Sequence, residues 1–133
     1  MTHVTPPLDP SSPSPTDAQA ATYDRLVPML GAAHREMSEL SKKKQDGIVN
    51  QLKIKMLNRL LTELGELLKD DPSHGFVDML DEETLPQNSD VVLVLSQWKA
   101  ALEQYKAKHY GWDGSEREYR WFTVENPRPS SAY

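Results

Sequence analysis

Between Ile48 and Lys69 the chain reads IVNQLKIKMLNRLLTELGELLK, and its apolar positions recur with the period of an α-helix. At about 100° per residue, Val49, Leu52, Met56, Leu57, Leu60, Leu61, Leu64, Leu67 and Leu68 fall in an arc roughly 180° wide, about 200° with Ile54. A helix lying on a surface needs an arc of only about 100°, so this one predicts partners on two sides. Asn50 and Lys53 interrupt the arc at its start, which predicts a less buried first turn with Asn50 as its cap.

An earlier helix is predicted from Asp17 to Lys43, with Asp17 or Asp24 as N-cap. Tyr23, Leu26, Leu30, Ala33, Met37 and Leu40 alternate spacings of three and four, a narrow seam suited to one neighbour. Pro28 lies inside it, where a missing N–H costs about 3 kcal/mol and predicts either a kink or a later start. Lys42–Gly47 ends that helix with cations and an Asp-Gly turn, giving an antiparallel helical hairpin. A third helix is predicted over Val91–His109, capped by Ser89 or Asp90 and ended by Gly111. Its residues Val91, Val94, Leu95, Trp98, Ala101, Leu102 and Tyr105 span about 120°, enough for a groove between two helices.

The connection Asp70–Asn88 is too long for a simple loop and predicts structure of its own. Phe76, Met79 and Leu80 have the spacing of one helical turn that would plug an end of the helices. Asp78, Asp81, Glu82 and Glu83 would then face water. After Gly111 the aromatics Trp112, Tyr119, Trp121 and Phe122, with Tyr110 just before, crowd a polar segment. Trp112–Ser115 reads as a turn and Glu118–Val124 as a short strand or extended arm.

These elements define an all-α fold: a three-helix up-down-up bundle over residues 17–110, with a structured connection and an aromatic C-terminal arm at 111–125. Residues 1–16 hold five of the ten prolines and few apolar groups, and read as a disordered leader, as 126–133 read as a disordered tail. The N-terminus has no basic, apolar signal pattern and no run approaches a membrane span of about 18 residues, so neither export nor membrane insertion is expected. With no cysteine, disulfide and zinc-thiolate chemistry are excluded, and a cytoplasmic setting fits best.

Candidate chemistry is sparse. His3, His34, His74 and His109 are dispersed without metal-ligand spacing, and His34 reads as a half-buried packing residue. Asp70–Gly75 resembles a calcium loop only superficially, because Pro72 and His74 stand where oxygen ligands are needed. No glycine-rich phosphate loop or serine triad can be assembled, and no cofactor is implied.

Charge is more informative. From His34 to Arg59 seven basic residues face three acidic ones, whereas from Glu63 to Asp90 nine acidic residues face a single lysine. A net charge of −5 argues against general affinity for nucleic acid. The expected function is therefore a non-enzymatic protein–protein interaction or regulatory module, with a partner protein or a second copy in a homo-oligomer as its contact. Its contacts are expected from the arm residues Tyr110, Trp112, Tyr119, Trp121 and Phe122 and from surplus apolar surface on Leu57, Leu61 and Leu68. The first alternative is a nucleic-acid-associated regulator binding polyanions through Lys42, Lys43, Lys44, Lys53, Lys55 and Arg59. A small enzyme would instead need carboxylates of the 70–90 connection to converge with His74.

Overall fold

A computed structural model describes residues 12–129. Three helices dominate it: α1 (Asp17–Lys43), α2 (Gln51–Leu68) and α3 (Asn88–His109). A two-stranded antiparallel sheet follows, β1 (Tyr110–Asp113) and β2 (Glu118–Trp121).

Local chemistry explains most boundaries. Thr16, not Asp17 or Asp24, caps α1: its hydroxyl accepts from the Gln19 N–H while the Gln19 side chain accepts from the Thr16 N–H. This reciprocal box satisfies two of the otherwise unpaired first-turn donors. The helix runs through Pro28 without ending. Asn50 caps α2 by accepting from the Lys53 N–H at 2.9 Å. α3 begins three residues earlier than the apolar period suggests, at Asn88, with the Asp90 carboxylate accepting from the Gln87 N–H. Gly111 does not terminate α3; the chain turns extended at Tyr110 and enters β1 directly.

All three helices contribute to one core. Leu30, Ile54, Leu61, Leu64, Leu68, Val91, Leu95 and Leu102 are fully enclosed, and Tyr23, Met37 and Trp98 nearly so. Leu61 and Leu68 therefore offer no surplus surface.

The direction of α3 differs from the up-down-up expectation. Tyr23 reaches the Leu102 carbonyl, His34 meets Ser96, and Lys44 meets Asn88, so α1 runs antiparallel to α3. The start of α2 adjoins the start of α3, where Val49 N–H donates to the Pro86 carbonyl and Asn88 N–H to that of Gly47. At the opposite ends Lys108 pairs with Asp71 at 3.0 Å. α2 and α3 are thus parallel, and the order is up-down-down. The 70–88 connection makes this possible by crossing back along α2. An 18-residue helix is about 27 Å long, and roughly ten extended residues cover that distance.

Side chains hold the crossover. Asn58 donates to the Leu80 carbonyl at 2.7 Å and accepts from its N–H at 2.9 Å, and the Trp98 indole donates to the Asp78 carbonyl. Only Leu80 of the expected plug is buried; Phe76 is 80% exposed and Met79 about half exposed, because this segment is a 3-10 turn (Pro72–Phe76) followed by extended chain. Asp78, Asp81, Glu82 and Glu83 face solvent.

The polar ends are more ordered than their composition suggests. Ser12 and Pro15 are buried, and the Pro15 carbonyl accepts from Val124 N–H, so residues 12–16 form a strap rather than free leader. Asn126 bonds to Asp17, and Arg128 lies over the Phe122 ring at 4.2 Å and donates to the Lys108 carbonyl. The rest of the predicted leader, 1–11, and tail, 130–133, lies outside the described residues. No described helix is long and apolar enough to cross a membrane.

Candidate functional site

The aromatic arm is a hairpin docked on its own chain. Pairing of Tyr110 with Trp121 and of Trp112 with Tyr119 places these four rings on one face. Trp121 meets Tyr23 of α1 edge-on at 4.8 Å and its indole N–H donates to the Asp24 carboxylate. Lys106 of α3 stands 4.4 Å from the Tyr110 ring centre and within 6 Å of Tyr23 and Trp121, adding a cation to the cluster. Phe122 is buried beneath Arg120 and Arg128. Trp112 and Tyr119, 54% and 65% exposed and packed edge-on at 5.2 Å, are the outward-facing members. The five arm residues thus divide: Trp121 and Phe122 anchor the hairpin, Tyr110 bridges, and Trp112 with Tyr119 faces solvent.

The turn, which falls at residues 114–117 rather than 112–115, is organised by Asp113. Its carboxylate accepts from Arg120 at 2.6 Å and from the Ser115 and Glu116 N–H groups. The Arg120 bond first, with the two backbone donors, outweighs burial and holds this carboxyl below its ordinary value. Arg117 adopts φ 55°, the left-handed region that a Cβ disfavours. Arg117→Gly is expected to raise the unfolding free energy by about 0.5 kcal/mol, read as a higher urea midpoint; an unchanged or lower midpoint would show that the arginine is compensated.

A second surface lies between α1 and α2 on the side away from α3. A furrow of about 380 Å³ is floored by Ala33, Met37, Leu40 and Leu57 and edged by Glu36, Asn50, Leu52, Lys53 and Met56. Leu52 is 68% exposed and Met56 54%, although both lie on the apolar arc of α2. The arc is wider than its two neighbours cover. Of the surplus positions expected from sequence, only Leu57 lines this furrow, and Leu52 with Met56 takes the place of Leu61 and Leu68.

The six candidate polyanion-binding residues are all exposed but divided. Lys42 and Lys43 lie in the last turn of α1 and Lys44 caps it, with Lys42 paired to Glu39. Lys55 and Arg59 share the outer face of α2, and Lys53 points to the furrow side.

A third cluster joins distant parts of the chain. Ser12 Oγ donates to Asp71 Oδ2 at 2.6 Å and lies 3.0 Å from His109 Nε2. Lys108 Nζ also donates to Asp71, and His109 packs edge-on against Tyr105. Although serine, histidine and aspartate meet here, the proton order opposes nucleophilic use. The Ser12 proton is committed to the carboxylate, so Ser12 Oγ accepts from His109 Nε2–H, whereas an activating histidine must accept from the serine. The adjoining space is only about 40 Å³. This is a buried latch between the strap, the start of the crossover at Asp71 and α3.

Burial pushes the Asp71 carboxyl up, but hydrogen bonds from Ser12, Ser73 and Lys108 outweigh it and leave it below the ordinary 3.8. A carboxyl depressed in the fold stabilises above its unfolded value, and that contribution is lost as pH falls through the folded one. Asp71→Asn is therefore expected to destabilise at about pH 7, with the difference from the parent shrinking near pH 3. Urea midpoints at the two pH values check this, and a pH-independent difference would contradict it.

His3 lies outside the described residues, and His34 and His74 share no site. His34 is half-buried, bonded to Ser96, with its pKa lowered by burial and by Lys99. His74 is exposed near Thr62 and Lys69, and the 78–83 carboxylates do not converge on it. Among the described residues no three histidine or carboxylate side chains gather as metal ligands. No family model, curated protein or solved structure matches this chain.

Proposed function

We propose that this protein is a non-enzymatic interaction module whose three-helix up-down-down core presents the α1–α2 furrow to a helix of another protein. The observation that carries the reading is the exposure of Leu52 and Met56 at i and i+4, beside a furrow with an apolar floor. Parallel apolar anchors over a groove between helices are the arrangement that receives an amphipathic helix, which adds a further helix to the layer. The methionines suit such a surface because their unbranched thioethers repack around different anchors. The hairpin supports the same reading in a secondary role. Its Trp121 and Phe122 brace the start of α1, leaving Trp112 and Tyr119 as an outward pair available for contact.

The test uses a fluorescently labelled amphipathic helical peptide with leucines at i, i+3, i+4 and i+7 and an uncharged polar face. It is expected to bind the full chain, and Leu52→Ser with Met56→Ser should weaken binding at least about tenfold while leaving the circular dichroism unchanged. Binding that is absent, or indifferent to both substitutions, would contradict the proposal.

A further inference from the structure

Resting on that interaction reading, the charges around the furrow narrow the partner. Leu52, Lys55, Met56 and Arg59 stand at i, i+3, i+4 and i+7 of α2, so apolar and cationic side chains alternate along one exposed face. Lys53, on the same helix, lines the furrow itself. Among the described residues no carboxylate forms an ion pair with Lys53, Lys55 or Arg59; the ion pairs present engage Lys42, Lys69, Lys108 and Arg120. Glu36 is the one carboxylate lining the furrow. From this placement we infer that the furrow's natural occupant is an acidic amphipathic helix, with apolar anchors over Leu52 and Met56 and carboxylates flanking them.

Two other occupants fit less well. A second copy bound through this face by a two-fold axis would bring together two faces that each carry Lys53, Lys55 and Arg59. A nucleic acid would force its charged backbone against Leu52 and Met56, desolvating phosphates without a compensating donor. An acidic helix satisfies both kinds of side chain at once. It needs a carboxylate every turn beside its apolar stripe, the complement of the spacing on α2.

The experiment compares two labelled helical peptides with the same leucine pattern, one flanked by glutamates and one by lysines, binding the full chain. The glutamate peptide is expected to bind at least about tenfold more tightly at low salt, and the preference should shrink at about 0.5 M salt. Lys55→Glu with Arg59→Glu, both on exposed positions, should reverse it. Equal binding, or preference for lysine, overturns the acidic partner while leaving the groove reading standing. Failure of both peptides, together with the uncharged one, overturns the groove reading itself. Self-association lost on substituting Leu52 and Met56, or tighter binding of a short DNA duplex than of the glutamate peptide, overturns the acidic helix in favour of a second copy or a nucleic acid.

Discussion

Tyr23→Ala is expected to lower the unfolding free energy by about 4 kcal/mol, a large share of what a domain of this size possesses. Tyr23 is the junction of the fold: buried in the core, it donates to the Leu102 carbonyl at 2.8 Å, stacks on Tyr105 and receives Trp121 edge-on. Truncation removes a ring from the α1–α3 seam and the surface on which the hairpin docks. Tyr23→Phe keeps the ring and loses only the hydroxyl, for about 1 kcal/mol. The two substitutions separate packing from hydrogen bonding. Burial, with smaller contributions from Glu103 and Asp24, pushes the Tyr23 phenol up to about 12. A group whose pKa is raised in the fold contributes below its unfolded value and loses that contribution as pH rises, here between 10 and about 12. Tyr23→Phe should flatten that alkaline decline. Urea unfolding of the three proteins checks both claims, and a Tyr23→Ala cost below about 2 kcal/mol would show that the cluster repacks.

Asn58→Ala is expected to cost about 3 kcal/mol. The Asn58 amide pairs with both backbone groups of Leu80, inside the protein, so its removal leaves a buried N–H and a buried carbonyl without partners. The loss should be localised as well as large. Amide exchange at Leu80 is expected to accelerate more than at Leu95 or Leu102, because the crossover opens before the helices separate. Uniform acceleration across the three helices would mean that crossover and core open as one unit.

Asn58 also shows what could be read from sequence. It stands beside Ile54 on the buried arc of α2, a polar residue where only apolar ones belong, and such a residue predicts a buried hydrogen-bond partner. The three helices were legible because their apolar residues recur at helical spacing over about four turns or more, and the Asn50 cap because it stands where the arc begins. The direction of α3 was not. It depends on the path of residues 70–88, whose backbone is paired by side chains from α2 and α3, and no local pattern records those pairings. Its length was the available signal: 19 residues suffice to return along a helix.

Similar reasoning applies to the candidate surfaces. The crowding of aromatics at 110–122 was plain, and the two-residue spacing of Tyr110 with Trp112 and of Tyr119 with Trp121, brought into register by the hairpin, places them on one face. Which of them would be covered depended on Tyr23 and Lys106, remote in sequence. Leu61 and Leu52 are chemically identical and share the arc of α2, yet one is enclosed and the other exposed, because only the positions of α1, α3 and the crossover decide where the arc runs out of cover. The Ser12 latch left no signal, since a serine among prolines looks like any disordered segment until Asp71 and His109 are placed beside it.

The central claim is that a helix docks in the furrow between α1 and α2, and methyl NMR of the methionines tests it most directly. Met37 and Met56 line the furrow, whereas Met79 lies beside Trp98 in a separate groove and serves as the internal reference. On titration with the uncharged amphipathic peptide, the account predicts saturable shifts of the Met37 and Met56 methyls with Met79 unmoved. Shifts confined to Met79, or none in the furrow at peptide concentrations that saturate binding, would contradict it.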